Sequence, residues 1–396
     1  MPGSALPSAA DRAFAAVGHV PLAVALLAAA LRGRQEWAAG PGANDGGSGP
    51  SAWEEITADL ARDADVYGTH PYATTFRALN IAVAALPADL RTALLGLAVF
   101  PPDTAIPVAA IARYWAHTRG ITAEDTATDL DRLVTAGVLQ RGETDADTIG
   151  FHDLAHEYLL LNTDALRALH GRLLDAYRRL LDEHDRWSTL PLDEPYIWGH
   201  VAGHLAAAGE RDTLVATVTD PAYQAKRITR HGPHAGEADL AVAVRLVSDD
   251  PVAGWWQAWL ARHSHLLTGS TDRDARPVPV AATMLAWLEA DTSRPPAVRP
   301  ARLAPLLPRP YLAVHDGLAA ESSALVRVLG GHDGGVHALA WSSDGTLLAS
   351  ADNLGTARIW DSTSGHLVCT LADEDIGWVR AAAWSPRRHP GGHGRR

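Results

Sequence analysis

The hydrophobic pattern divides the chain into a long region of helical periodicity and a short C-terminal region of strand periodicity. Apolar residues recur at helical spacing through most of residues 8–290. After Leu329 the period shortens to that of a strand, and short alternating runs follow at 336–341, 346–350, 356–361 and 367–371. The pattern predicts a mainly α protein with a C-terminal all-β part.

The first predicted domain covers residues 1–75. Its Ala-rich start predicts a helix over 8–38, with Asp11 placed to cap the beginning. A Gly/Pro/Ser/Asn-rich linker or long loop follows at 38–51, and helical patterning resumes at 53–62 and 75–86.

The second predicted domain, residues 76–163, has the elements of a winged helix. Three helices are predicted, at 88–99, 108–115 and 122–136, and Gly137 is expected to end the last one in the left-handed conformation. Two strand-like runs, VLQR and TIGF, are separated by the polar turn GETDAD, which predicts a β-hairpin.

Residues 164–310 are predicted to form an α-helical spacer domain. Its helices are expected from 163 onwards and at 197–208, 213–218, 238–247, 252–267 and 280–290. Trp255, Trp256 and Trp259 form an aromatic stripe at helical spacing, which we interpret as core rather than as a binding site. The proline-rich stretch 293–310 predicts an extended linker.

The last predicted domain, residues 311–396, repeats itself. WVRAAAW at 378–384 resembles VHALAW at 336–341, and the final tryptophans of the two runs are 43 residues apart. That offset lies within the ~40–45 residues of one propeller blade. Gly331-His332 precedes the first strand and Trp360-Asp361 ends the third.

With these signatures, the segment 330–371 resembles a complete WD-repeat, and the chain is expected to hold one full blade and one further strand of an incomplete β-propeller. The resemblance implies a hydrogen-bonded structural network of His332, Ser350 and Trp360, together with the signature Asp361. The turn departs from the pattern, because Leu354 stands where the aspartate of that network is usual.

Two further motifs resemble those of NB-ARC ATPases. GHVPLAVAL at 18–26 is similar to the Gly-x-Pro helix start whose proline packs on adenine, which implies nucleotide contact by Pro21. Phe151-His152-Asp153 resembles the family's Met-His-Asp corner, whose histidine reaches the β-phosphate of ADP. The resemblance therefore implies nucleotide-binding roles for His152 and Asp153.

The order of the domains is itself similar to that of a known class. The chain begins with a helical remnant of an NB-ARC module, followed by a winged helix. A helical spacer like that of the apoptotic protease-activating factor family comes next, and the start of a WD-repeat propeller comes last. The chain thus resembles the C-terminal part of a STAND-class NTPase. This resemblance implies a signalling protein that scaffolds protein partners through its WD-repeat region.

Other interpretations of these residues stay open. His152 and His156, with an acid between them, are similar to a zinc-protease helix, although zinc needs a third protein ligand and the general base needs the longer reach of Glu. His152 and Asp153 also suit a helix start with no ligand, because an acid there is favoured by the helix dipole. Pro21 likewise suits the first turn of any helix.

The sequence lacks the motif that hydrolysis requires. No Gly-x-x-x-x-Gly-Lys-Ser/Thr occurs, and no predicted strand ends in paired acids for magnesium. We therefore expect no enzymatic activity and no catalytic residues, and we expect ADP or ATP to bind only with a P-loop ATPase polypeptide as partner. The pattern favours a truncated or split gene product whose open sheet edges cause instability or self-association of the C-terminal region.

Charge and composition narrow the possible partners and the possible cellular location of the protein. The 396 residues carry a net charge of −12, and phosphate binding needs a positive field, so nucleic acid is a poor partner. Cys369 is the single cysteine, which rules out an internal disulfide. The apolar run 20–31 is too short to span a bilayer. We expect a cytoplasmic protein with neither a membrane partner nor a metal.

A winged-helix DNA-binding regulator is the alternative function. Its recognition helix would be 122–136, which carries four acids and one base: Glu124, Asp125, Asp129 and Asp131 against Arg132. Such a surface would repel phosphate.

Overall fold

The computed structural model describes residues 8–38, 52–62, 67, 70–102, 104–142, 145–267, 276–311, 326–332, 334–372 and 381–384. The chain divides by its internal contacts into two units, residues 1–210 and residues 211–396. The described residues are mainly helical, with a C-terminal four-stranded antiparallel sheet, which confirms the predicted fold class. The described helices include none that is both long and apolar enough for a membrane crossing.

Unit 1 contains ten α-helices and three short strands within its described residues. The helices are α1 Ser8–Ala16, α2 Pro21–Ala38, α3 Ala52–Arg62, α4 Ala73–Ala84, α5 Ala88–Gly96, α6 Val108–Arg119, α7 Ala123–Thr135, α8 Asp153–Leu161, α9 Leu166–Arg178 and α10 Pro195–Ala208. The strands are β1 Ile106–Pro107, β2 Gln140–Arg141 and β3 Thr148–Gly150, and 3-10 turns occupy Leu97–Val99 and Trp187–Thr189.

The predicted single helix over 8–38 is wrong, because the chain breaks between α1 and α2. Gly18 and His19 have φ angles of 62° and 54°, and two successive left-handed residues cannot continue a right-handed helix. The break allows α1 to pack against α3 while α2 packs against α4. Asp11 lies within the first turn of α1, where an acid suits the helix dipole, rather than before it. The predicted linker at 38–51 lies outside the described residues except for Ala38, which ends α2.

The segment from α5 to β3 contains three helices and a β-hairpin, as the sequence predicts. A capping box starts α7, since the Thr122 hydroxyl accepts from the Asp125 amide and the Asp125 carboxylate accepts from the Thr122 amide. Gly137 ends this helix with φ of 75°, as predicted. The hairpin pairs β2 with β3, and β1 adds a third strand beyond β3. The sequence missed β1 because it is two residues long and contains a proline.

Two histidines and a tyrosine form a buried polar cluster between α9 and α10. His170 Nδ1 lies 2.8 Å from His204 Nδ1, and the Tyr196 hydroxyl lies 2.8 Å from His204 Nε2. Burial lowers the pKa of His170 to about 4. Burial, together with the neighbouring His170 and His200, lowers the pKa of His204 well below its ordinary value. Both rings are therefore neutral in the folded protein at pH 7.

Among its described residues, unit 2 begins with five α-helices, which together with the turn that follows them form what we name the helical block (residues 211–306). These helices are α11 Arg211–Val218, α12 Pro221–His231, α13 Pro233–Leu246, α14 Pro251–His263 and α15 Val278–Ala290; 3-10 turns occupy Ser264–Leu266 and Pro300–Leu306. Asp220 and Asp250 cap α12 and α14 by accepting from first-turn amides, each ahead of a proline at the first helical position.

Helix α12 was missing from the prediction because polar residues occupy its buried face. Arg227 and Asp239 form a buried ion pair, in which Asp239 Oδ2 accepts from Arg227 Nε at 2.8 Å. The same oxygen accepts from the Tyr223 hydroxyl at 2.7 Å. Tertiary pairing satisfies these groups, which a search for apolar periodicity does not detect.

The prediction of an extended linker at 293–310 is wrong over its centre. Residues Pro300–Leu306 form a 3-10 turn that packs against α12 and α15. Val298 and Leu303 are buried, and Arg302 pairs with Asp220 at 2.8 Å. Apolar side chains between the prolines therefore fold this stretch onto the helices, since burying them is favourable.

The tryptophan stripe on α14 is core, as predicted. Trp256 and Trp259 are fully buried, with their rings 5.4 Å apart in an edge-to-face arrangement. Trp255 lies nearer the surface, and its indole nitrogen donates to the Ser293 hydroxyl at 3.3 Å.

The C-terminal sheet is a four-stranded meander that we name the blade (residues 336–372). Its strands are β4 Val336–Trp341, β5 Leu347–Asp352, β6 Thr356–Asp361 and β7 Leu367–Ala372, in the sheet order β4-β5-β6-β7. The further strand expected at 378–384 lies partly outside the described residues, and residues 381–384 are not in a strand. Trp384 nevertheless contacts the blade, because its indole nitrogen donates to the Ala340 carbonyl at 2.9 Å.

Candidate functional site

A chain of hydrogen bonds joins four side chains at the base of the blade. The Trp360 indole nitrogen donates to the Ser350 hydroxyl at 2.7 Å, and that hydroxyl lies 2.7 Å from His332 Nε2. His332 Nδ1 lies 2.8 Å from an Asp352 carboxylate oxygen. An ionised carboxylate only accepts, so Nδ1 carries the proton, and in the neutral ring Nε2 accepts from the serine. The bonds thus run in one direction from Trp360 to Asp352.

Asp352 is the member of this network that the sequence did not identify. It is the last residue of β5. The resemblance placed the aspartate two residues later, at the position of Leu354. Its second oxygen accepts from the amides of Leu354 and Thr356, each at 2.9 Å, so the carboxylate also fixes the turn into β6. The pKa of the Asp352 carboxyl group is lowered, and the hydrogen bond from His332 is the largest cause.

Asp361, which the sequence grouped with the network, lies apart from it. Its carboxylate accepts from the Thr363 amide at 3.1 Å and from the Ser364 amide and hydroxyl at 2.7 Å. These bonds close the turn between β6 and β7, where Gly365 has φ of 70°. Asp361 therefore shapes a turn, and the carboxylate of the network comes from Asp352.

The blade combines a buried hydrogen-bonded network with an exposed apolar surface. Trp360 is 1% exposed and Ser350 is buried, so every polar atom that they bring into the sheet has a partner within it. On β4, by contrast, Leu339 and Trp341 are 64% and 59% exposed. Large exposed apolar side chains on a fixed sheet suit binding to another protein surface.

Pro21 lies at the start of α2 and is exposed. The left-handed Gly18 and His19 redirect the chain just before it. Because a proline lacks the amide hydrogen that the first turn does not use, this position suits Pro21 with or without a nucleotide.

His152 is the N-cap of α8, shortly after the β2–β3 hairpin. Its Nδ1 accepts from the Leu154 amide at 3.4 Å, and its ring is half-buried. In the neutral ring this bond leaves the proton on Nε2, which is then a donor. Asp153 is exposed in the first helical turn. The site thus offers one imidazole donor beside an acid, at a helix start that favours negative charge.

The other residues of this motif have separate contacts. His156 is buried, with its ring 5.4 Å from that of Phe151. Glu157 pairs with His70 at 3.3 Å. Within the part of the chain that the structure describes, no three His, Cys, Asp or Glu side chains are grouped so that they could hold a metal ion.

Helix α7, the recognition helix of the alternative function, presents an acidic surface. Glu124, Asp125 and Asp131 are exposed, while Asp129 is turned inward and pairs with Arg119 at 2.8 Å. Exposed carboxylates at the positions that would face a DNA groove repel the phosphate backbone.

The similarity to known proteins is concentrated in a short stretch. The WD domain, G-beta repeat family model matches residues 323–361. WD repeat-containing protein 1 of Xenopus tropicalis is 40% identical over 73 residues, which is 16% of this chain and 12% of that protein. Its namesake in Gallus gallus is 42% identical over 61 residues, or 15% of this chain and 10% of that protein.

A third protein is similar over a comparable length. Apoptotic protease-activating factor 1 of Homo sapiens is 42% identical over 65 residues, 15% of this chain and 5% of that protein. The chain therefore spans only about an eighth or less of the length of the curated relatives that it matches. A helical region is followed by a C-terminal WD40 repeat segment, and this repeat implies protein partners and suggests a protein-binding scaffold.

Proposed function

We propose that the chain is the regulatory and scaffolding part of a STAND-type nucleotide switch. In this proposal the WD-repeat region binds a protein partner. The helix starts at Pro21 and His152 contact ADP or ATP that is held by a P-loop polypeptide. The scaffolding role is supported by one observation: the complete hydrogen-bonded network from Trp360 to Asp352, in a segment that the WD-repeat family model matches.

The blade supports partner binding through the combination of rigidity and exposed apolar surface. Its hydrogen-bonded network fixes the strands, so a partner meets Leu339 and Trp341 in a set position and the entropy lost on binding is small. The same surface supports the prediction that the C-terminal region self-associates, because exposed apolar side chains favour any surface that covers them.

The nucleotide-sensing role is supported by the chemistry of His152. With Nδ1 accepting from the Leu154 amide, the neutral ring keeps a single N–H, at Nε2, that could donate to a phosphate. The capped helix start behind it adds a favourable dipole. Asp153 opposes an anion at the same place, so this chain alone is expected to bind nucleotide weakly or not at all.

Hydrolysis does not form part of the proposed role. The sequence has no Gly-x-x-x-x-Gly-Lys-Ser/Thr loop to cradle the phosphates. The chain would instead respond to the nucleotide that its partner holds, because a ligand shifts a conformational equilibrium only through contacts that differ between two states.

Isothermal titration with ADP and ATP tests the proposal, on the chain alone and mixed with a P-loop ATPase polypeptide. His152→Asn is the informative variant, because asparagine keeps the helix cap and loses the imidazole donor. We expect ADP to bind only in the mixture and about tenfold more weakly with His152→Asn, the equivalent of ~1.4 kcal/mol for one hydrogen bond to a charged group.

The exposed His184 provides a matched control, since His184→Asn changes the same residue type away from any helix start. Equal ADP affinity of the His152→Asn and His184→Asn mixtures would remove the sensing role. Turnover of ATP by the purified chain alone would overturn the proposal that it is a regulatory part without hydrolytic activity.

A further inference from the structure

One ion pair joins the helical block to the segment that leads into the blade. Arg327 lies in residues 326–332, which precede β4, and its guanidinium is bonded to the Glu237 carboxylate of α13. The two residues are 90 positions apart in the chain. Glu237 is buried, and 14% of the Arg327 side chain is exposed. The pair is thus a nearly dry contact between the two parts of unit 2.

A third segment closes around the arginine. Gly365, in the turn between β6 and β7, approaches Arg327 so closely that a Cβ at this position would overlap the arginine side chain. The φ of 70° at Gly365 favours glycine as well. Arg327 therefore passes against the turn of the blade on its way to α13, and it touches both parts at once.

Two histidines lie at the same junction, one from each part. His234, in the first turn of α13, and His366, beside Gly365, have ring centroids 6.0 Å apart. His234 Nδ1 lies 4.0 Å from the second oxygen of Glu237, and neither of these two buried atoms has a hydrogen-bond partner among the described groups. The contact surface between helical block and blade thus centres on Glu237.

We propose that Glu237 and Arg327 form a latch that holds the blade against α13, so that the helical block and the WD repeat move as one body. With the latch formed, a force or a partner acting on the blade is transmitted to the helices. With the latch broken, the turn at 362–366 and the start of α13 separate while each part keeps its own fold. The latch depends on the geometry of unit 2 and on no nucleotide.

The physical reason is the cost of an unmatched buried charge. Once Arg327 is removed, the buried Glu237 carboxylate has no hydrogen-bonded cation, since His234 Nδ1 lies 4.0 Å away, and this costs more than the intact pair gains. Removing both charges abolishes that cost. A double-mutant cycle therefore separates an ion-pair latch from simple packing by the arginine stem.

Hydrogen exchange followed by mass spectrometry on the full chain tests the latch with three variants. Arg327→Met keeps the aliphatic stem, Glu237→Gln keeps the shape of the acid, and the third variant combines both changes. For Arg327→Met we expect exchange about 10- to 100-fold faster in α13 and in the turn at 362–366. Adding Glu237→Gln should restore most of the protection.

Arg302→Met is the matched control, because it breaks an arginine pair to the buried Asp220 within the helical block. It should loosen residues 300–306 and leave the turn at 362–366 protected. Failure of Arg327→Met to fold would overturn the latch, because each part is proposed to keep its own fold once the ion pair is broken. Unchanged exchange in Arg327→Met, no rescue by Glu237→Gln, or a double variant that fails to fold would each overturn it.

Discussion

Ser350→Ala is the most direct perturbation of the Trp360-to-Asp352 network. The serine is its central member, because its hydroxyl accepts from Trp360 Nε1 and donates to His332 Nε2, both at 2.7 Å. The change removes one oxygen and leaves the strands and the tryptophan ring in place. Its effect therefore measures the hydrogen bonds rather than the packing.

The magnitude follows from what the alanine leaves behind. The indole N–H of Trp360 keeps no partner in a residue that is 1% exposed, and a buried unsatisfied group costs ~1–3 kcal/mol. His332 loses one of its two bonds and keeps the other, to Asp352. We expect a local loss of about 2–3 kcal/mol, which corresponds to roughly 30- to 150-fold faster exchange of protected amides.

Hydrogen exchange resolved to β5 and β6 is the suitable assay, because global unfolding averages the blade with the helices. Ser362→Ala serves as the control on a neighbouring turn, where the hydroxyl donates to the Gly345 carbonyl at an exposed position. That variant should change protection by less than about 0.5 kcal/mol. Equal exchange of β5 in the two variants would refute the view that the network holds the blade together.

Three further predictions concern the helical parts. The free energy of unfolding should decrease as the pH falls from about 6.5 toward 4, because His170 binds a proton in the unfolded chain in this range but stays neutral in the folded one. The variant His170→Gln should flatten this pH dependence in urea titrations at several pH values. An unchanged slope would contradict the prediction. Asp239→Ala should cost about 3–5 kcal/mol in urea denaturation, because Arg227 stays buried without its partner, and a loss below about 1 kcal/mol would contradict the importance of the pair. Thr122→Ala should cost about 1 kcal/mol through the lost cap of α7, while the mid-helix Thr128→Ala should cost clearly less; equal effects in thermal unfolding would argue against the cap.

Local patterns sufficed for most elements of the fold. Helices α5 to α7 and the four strands of the blade follow from apolar spacing, glycine stops and turn residues, all of which act within a few positions of the chain. The failures have a shared cause. Helix α12 buries Arg227, and the proline-rich stretch buries Leu303, and both outcomes depend on partners that are distant in sequence.

In the candidate site, too, some residues were predicted from local sequence patterns and others depended on the tertiary structure. His332, Ser350 and Trp360 are identified by their places in the repeat signature, since each stands at a fixed offset from a strand. Asp352 was missed because the signature directs attention to the turn, whereas the register of β5 decides which carboxylate reaches His332. The roles of Pro21 and His152 stay predictions that the nucleotide titration addresses.

The sequence by itself determined most of the helices and the four strands of the blade, and that a WD repeat follows a helical region, because periodicity and turn chemistry are local properties of the chain. Only the tertiary structure decided that Asp352 completes the network, that Asp361 closes a turn and that Arg327 meets Glu237. A hydrogen bond or ion pair forms where folding brings two groups within about 3 Å, and no pattern in one segment specifies which distant side chain will occupy that place.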